Sequence, residues 1–250
     1  MALIKVDFFS NALLMQASFY AVIPQKNTEG EIGNEKSEEN RTNLLLLHGL
    51  SDDETIWMRR TSIERYADKY GFNVFMPCGG RSFYTDMKYG GKYYTYIARE
   101  LPRYAERLFG IGASREDRYV AGLSMGGYGA LKIALKENDF FAGGAALSPA
   151  VDLKNPIFKE TLTPVFGEGA PVPDEEDLFF LTEKFNNREK NPRLLTIDGH
   201  SDFMIDDYYG FLKHMDKLDY DFIHKEYEGS HNWDFWDAHI VEVLEWIKNK

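Results

Sequence analysis

The stretch RYVAGLSMGGYGALKIAL, residues 118–135, decides the fold. It opens on a short apolar run, passes through Gly122-Leu123-Ser124-Met125-Gly126, and continues with apolar residues at helical spacing. G-x-S-x-G between a strand and a helix is the pattern of a turn so tight that its serine is held in a strained conformation, hydroxyl outward. The positions two before and two after the serine must be small, because strand and helix approach each other there. The helix N-terminus then offers amide donors and a favourable dipole to a developing negative charge. A glycine-rich turn carrying an ordinary surface serine is the plain alternative, and the motif by itself does not dispose of it.

A nucleophilic serine needs a base, and the base needs an orienting acid. For a serine on such a turn the chain order is Ser, then Asp or Glu, then His. Five of the six histidines follow Ser124: His200, His214, His224, His231 and His239. His214 and His239 fall in predicted helices and His224 in a predicted strand, while His200 precedes the proposed acid. His231 sits in EGSHNW, residues 228–233, a polar turn between the last strand and the final helix, and is the expected base. The strand 194–197 runs into Asp198-Gly199-His200-Ser201-Asp202, and Asp202 is the expected acid, placed beyond a glycine turn. Asp198, Asp206 and Asp207 read as structural or surface residues. The oxyanion hole is expected to combine the amides of Met125 and Leu50, the latter in the strand-end turn His48-Gly49-Leu50. His48 reads as a structural residue of that loop. Trp57, Tyr84, Trp233 and Trp236 are candidates for the substrate wall, with burial in the core an equally good reading of each.

Around this centre, short apolar runs alternate with longer amphipathic segments. Strands are predicted at 4–9, 17–23, 44–47, 72–76, 118–121, 143–147, 194–197 and 221–227. Helices are predicted at 93–108, where Pro102 should bend or divide the element, and at 126–136, 205–218 and 234–248. A further helix begins at Thr61 and Glu64, which have capping-box spacing, and ends at Gly71. Segment 25–42 is polar and reads as an exposed loop. Strands first, then β-α alternation, predict a mainly parallel sheet with helices on both faces and an antiparallel entry. Segment 152–192 carries five prolines between two strands and reads as a small cap-like insertion or surface excursion within a single domain spanning 1–250.

Composition narrows the function classes. The 250 residues carry 29 basic and 40 acidic side chains, a formal charge of -11 that argues against nucleic acid or an anionic membrane as partner. Cys78 is the only cysteine, so an internal disulfide is impossible and a cysteine-based metal site is not expected; no metal or cofactor is required. The N-terminus lacks a basic region ahead of an apolar core and reads as two strands, and no apolar run approaches the roughly 20 residues that span a bilayer. A cytoplasmic protein is expected.

The stretches LLLLHGLSDDETIWMRRTSIERYA, VFMPCGGRSFYTDMKYGGKYYTYIARELP, YVAGLSMGGYGALKIAL and GSHNWDFW together resemble the esterase D group, and within it the bacterial tributyrin esterases. The likeness runs from about Leu44 to near the C-terminus and is weakest in the proline-rich segment. It implies an α/β-hydrolase fold and a carboxylesterase preferring short acyl chains, with Ser124, Asp202 and His231 at the matching triad positions. A small-molecule ester as substrate and a homo-oligomeric assembly are also implied. S-formylglutathione hydrolases are similar over the serine turn and the tyrosine-rich segment, but carry a cysteine where this chain has Ser51. Thioester hydrolysis or acyl transfer is therefore the alternative activity. A non-catalytic hydrolase-fold binding protein is a further alternative, disfavoured because all three triad candidates are present.

Overall fold

The computed structural model describes residues 1–25, 42–186 and 190–249, so the loop expected at 25–42 lies outside the described residues apart from its two ends. Eight strands among them join one sheet: β1 (Ala2–Ser10), β2 (Met15–Ile23), β3 (Asn43–Leu47), β4 (Asn73–Pro77), β5 (Arg118–Leu123), β6 (Gly143–Leu147), β7 (Arg193–Gly199) and β8 (Phe222–Tyr227). The spatial order is β1-β2-β4-β3-β5-β6-β7-β8. The β1–β2 and β2–β4 pairs are antiparallel, and every pairing from β4 through β8 is parallel. This is the mainly parallel α/β-hydrolase sheet with an antiparallel entry.

The helices are α1 (Ile56–Arg60), α2 (Ile63–Tyr70), α3 (Leu101–Phe109), α4 (Met125–Lys136), α5 (Lys159–Phe166), α6 (Leu178–Lys184), α7 (Ile205–Met215) and α8 (Trp233–Lys248). Central strands are largely apolar because both of their faces are covered, and every residue of β3, β4 and β6 is buried. Strand alternation sends Leu45, Leu47 and Val120 to one face, where α3 to α7 pack. Leu44, Leu46, Tyr119 and Ala121 go to the other, under α1, α2 and α8.

Three local expectations are refined. The single helix predicted at 93–108 is a π-helical turn over Thr95–Glu100 followed by α3. Pro102 lies in the first turn of α3, directly after the π-helical turn, so the element divides at the proline. The capping box at Thr61 is only half made. The Thr61 hydroxyl accepts from the Ile63 amide at 3.0 Å and donates to the Trp57 carbonyl at 2.6 Å, so it closes α1 as well as opening α2. Gly71 ends α2 in the left-handed conformation (φ 70°), as glycine does most easily.

Within the proline-rich segment lie a 3-10 turn (Pro156–Phe158), α5, a second 3-10 turn (Asp174–Glu176) and α6. It is pinned to the sheet domain through α4. The Lys132 side chain is fully buried, and its ammonium donates to Glu176 (2.5 Å), to the Thr85 hydroxyl (2.8 Å) and to the Phe83 carbonyl (3.1 Å). Burial pulls the Lys132 ammonium below its ordinary value, and the Glu176 charge opposes that shift. All three donors are used, as a buried charge requires. The Tyr128 hydroxyl adds a bond to the Glu176 backbone at 2.7 Å.

Candidate active site

Ser124 stands between β5 and α4 with φ 53° and ψ -118°, a strained conformation for a residue with a side chain. Close packing enforces it. A Cβ on Gly126 would come within 2.6 Å of the Leu47 and His48 carbonyls, and one on Gly122 would meet the Gly126 carbonyl. The Ser124 amide is fixed to the Leu147 carbonyl of β6 at 2.9 Å. Phe83 (φ 49°) and Ser148 (φ 45°), both in loops near the serine, also have positive φ. Strain of this kind collects where surrounding structure over-determines a functional site.

The loops after β7 and β8 supply the partners. They are laced together: the Ser201 amide donates to the Gly229 carbonyl at 2.9 Å, and the His200 amide to the Tyr227 carbonyl at 2.9 Å. His231 lies 3.0 Å from the Ser124 hydroxyl through Nε2 and 2.7 Å from Asp202 Oδ2 through Nδ1. Asp202 can only accept there, which assigns the proton to Nδ1 and leaves Nε2 free to take the serine proton. The other Asp202 oxygen accepts from the Met204 amide at 2.9 Å. Burial acts to raise the Asp202 carboxyl, but the bonds and charge of His231 and the Met204 amide outweigh it and hold the group below its ordinary range. Edge-to-face contacts with Phe203 and Trp236, ring centres 4.8 and 4.9 Å away, fix the imidazole plane. The rejected histidines lie elsewhere: His200 beside Glu226 and Glu228, His214 on Thr182, and His239 on Glu242. His224 is a half-exposed residue of the edge strand β8.

Ser124 opens into a cavity of about 440 Å³ lined by Leu50 and Met125 as well as by Trp233, Trp236 and three phenylalanines. His48 holds the loop that carries Leu50: its Nδ1–H donates to the Gly49 carbonyl (2.6 Å) and its Nε2 accepts from the Gly79 amide (2.8 Å). Burial keeps the ring below its ordinary pKa and therefore neutral. Two of the wall candidates are corrected. Trp57 is buried, its indole N–H committed to the Leu47 carbonyl at 3.1 Å, and it packs edge-on behind Trp233 with ring centres 5.2 Å apart. Tyr84 is fully buried, and its hydroxyl donates to the His48 carbonyl at 2.8 Å. It supports the loop that carries Leu50 from inside, while its neighbour Phe83 lines the cavity. Sequence reasoning missed Phe83, Phe158, Phe203 and Asp52 on this wall; for Phe203, adjacency to Asp202 was the available signal. Among the described residues no group of three or more His, Cys, Asp or Glu is placed to hold a metal ion, and no helix is long and apolar enough to cross a membrane.

Residues 27–205 match the Esterase family model, described as "Putative esterase". The chain belongs to this esterase family. An acetyl esterase of Caldicellulosiruptor saccharolyticus is 30% identical, covering 99% of this chain and 98% of that protein. The solved structure of fluorophosphonate-binding serine hydrolase F from Staphylococcus aureus superposes with a TM-score of 0.90 at 31% identity, covering 100% and 99% of the two chains. An S-formylglutathione hydrolase from the same organism gives 0.84 at 32% identity, with 99% of each chain covered. With these relatives, the esterase is a serine hydrolase of carboxylic esters.

Asp198 is fully buried; its Oδ1 accepts from the Gly199 amide at 2.8 Å, and among the described residues its Oδ2 has no hydrogen-bond partner of good geometry although Asp202 stands close by. Burial first, and then the Asp202 charge, push its pKa well above the carboxylate range, so it is held as the neutral acid at neutral pH. The folded protein thus keeps a proton that the unfolded chain releases near pH 4, and Asp198 costs progressively more stability as pH rises from there towards neutrality. Asp198→Asn, which mimics the neutral acid, is expected to raise Tm and keep substantial turnover, with the Tm gap widening over that range. Thermal melts at several pH values check this; a gap that is flat with pH would mean the carboxyl ionises freely in the fold.

Proposed function

We propose that the esterase hydrolyses short-chain acyl esters with Ser124 as nucleophile, His231 as general base and Asp202 as the acid that orients it. The contiguous Ser124–His231–Asp202 hydrogen bonds of 3.0 and 2.7 Å carry this reading. The Ser124 oxygen attacks the ester carbonyl as its proton passes to His231 Nε2. The Leu50 and Met125 amides stabilise the resulting oxyanion, and the imidazolium returns the proton to the departing alcohol. Water, deprotonated by the same nitrogen, then releases the acid from the acyl-enzyme.

The modest cavity and its rigid aromatic wall support a short acyl group. A well-fitted methylene contributes only about 1–3 kcal/mol, so steric rejection must set the upper limit. Among p-nitrophenyl esters, kcat/KM is expected to peak at acyl groups of two to four carbons and to fall steeply towards eight. Preference for decanoate over butyrate would overturn the assignment. Thioester hydrolysis is the second reading, favoured by the likeness to S-formylglutathione hydrolase; S-formylglutathione in the same panel separates the two. A tributyrin-esterase type, a cytoplasmic setting, a cap role for the insertion that contributes Phe158, and a homo-oligomer all belong to this proposal. They rest on the sequence resemblance, the lone cysteine and the pinning of the insertion to α4.

A further inference from the structure

The substrate cavity is unevenly charged. Asp52, in the loop after β3, is half-buried on its wall a few residues from Leu50. The Asp52 carboxylate turns back towards the oxyanion loop, where a Cβ on Gly49 would stand 3.0 Å from its Oδ2. Among the described residues no lysine or arginine lines the cavity. The side chain of Asn232 is already committed, accepting from the Phe235 amide (3.0 Å) and donating to the Ser230 hydroxyl (2.8 Å). The wall also carries Phe83, Phe158, Phe203, Trp233 and Trp236, and aromatic ring faces carry negative potential that attracts cations and repels anions. An anionic group entering this space would lose water, meet a like charge and find no cationic side chain in return.

We infer that Asp52 sets the charge selectivity of the esterase: its carboxylate, with the aromatic wall around it, rejects substrates bearing a negative charge and admits neutral or cationic esters. This rests on the esterase reading of the cavity and extends it to the class of ester accepted. Partial burial also raises the Asp52 carboxyl above its ordinary value, which marks a charge that water screens poorly. The selected substrates are therefore esters of uncharged or cationic alcohols, including hydroxyl-rich ones whose O–H groups can donate to the carboxylate.

Three acetate esters of similar size test this at pH 8, where the carboxyl is ionised: acetylcholine (cationic), 3,3-dimethylbutyl acetate (neutral) and 3-acetoxypropionate (anionic). For the wild type, kcat/KM should run cation at or above neutral, and neutral well above anion. In Asp52→Asn the anion-to-neutral ratio should rise at least about tenfold, the effect of one charge within about 10 Å at an effective dielectric near 20. Asp206→Asn changes the net charge equally from the exposed first turn of α7 and should leave the ratio where it was. A rise below about fivefold in Asp52→Asn, or an equal rise in Asp206→Asn, overturns the role of Asp52. Failure of the wild type on the neutral ester would instead bring down the esterase reading.

Discussion

Ser124→Ala is expected to fold as the wild type does and to lose turnover by roughly four to six orders of magnitude, because triad members act as a unit. The substitution removes one oxygen, and among the described residues its only side-chain partner is His231 Nε2. The strained turn survives, since close packing of Gly122 and Gly126 and the Ser124–Leu147 backbone bond fix it, with no need of the hydroxyl. Stability should change by no more than about 0.5 kcal/mol, as for a change that opens no core cavity. Wild-type and variant kcat on a p-nitrophenyl ester, with labelling by a fluorophosphonate probe, decide the matter. More than about a tenth of wild-type activity in a folded, unlabelled variant would remove Ser124 as nucleophile.

Asp202→Asn should be nearly as damaging, for a reason the geometry supplies. The Met204 amide needs an acceptor, so an asparagine would turn its carbonyl oxygen to Met204 and its NH2 to His231. Nδ1 must then accept, the ring proton moves to Nε2, and the nitrogen facing Ser124 can no longer take a proton. The matching change in serine proteases lowers kcat about ten-thousandfold with the geometry intact. A loss of that order is expected here, with KM little altered. Asp206→Asn and Asp207→Asn should keep substantial activity: Asp206 is exposed, and Asp207 holds Asn155 of the insertion at 2.6 Å. If Asp202→Asn stays within about tenfold of wild type while either of the others collapses, the acid lies elsewhere in this loop.

Sequence alone determined the order of the strands, the serine turn and the succession Ser124, Asp202, His231, because each is written in chain neighbours. Periodicity separates strand from helix within a few residues, and the small residues flanking Ser124 record a contact between adjacent elements. Predicted helix or strand placement set aside three of the five downstream histidines and chain order a fourth, leaving His231 as the expected base. What only the tertiary structure decided is which side chains face the cavity and which groups carry charge. Phe83 and Tyr84 are consecutive buried aromatics with nearly equal φ, yet Phe83 lines the cavity and Tyr84 bonds to the His48 carbonyl behind it. Trp57 and Trp233 pack edge to face, yet Trp233 lines the cavity and Trp57 is buried behind it. Asp198 reads as an ordinary acid at a strand end until β7 is placed inside the sheet, where burial beside Asp202 keeps it protonated. Lys132 of α4 is buried together with its charge because Glu176 arrives from the insertion to pair with it. Burial is a property of where separate segments meet, and here the loops after β3, β5, β7 and β8 meet with the insertion over one end of the sheet. No window along the chain contains that meeting.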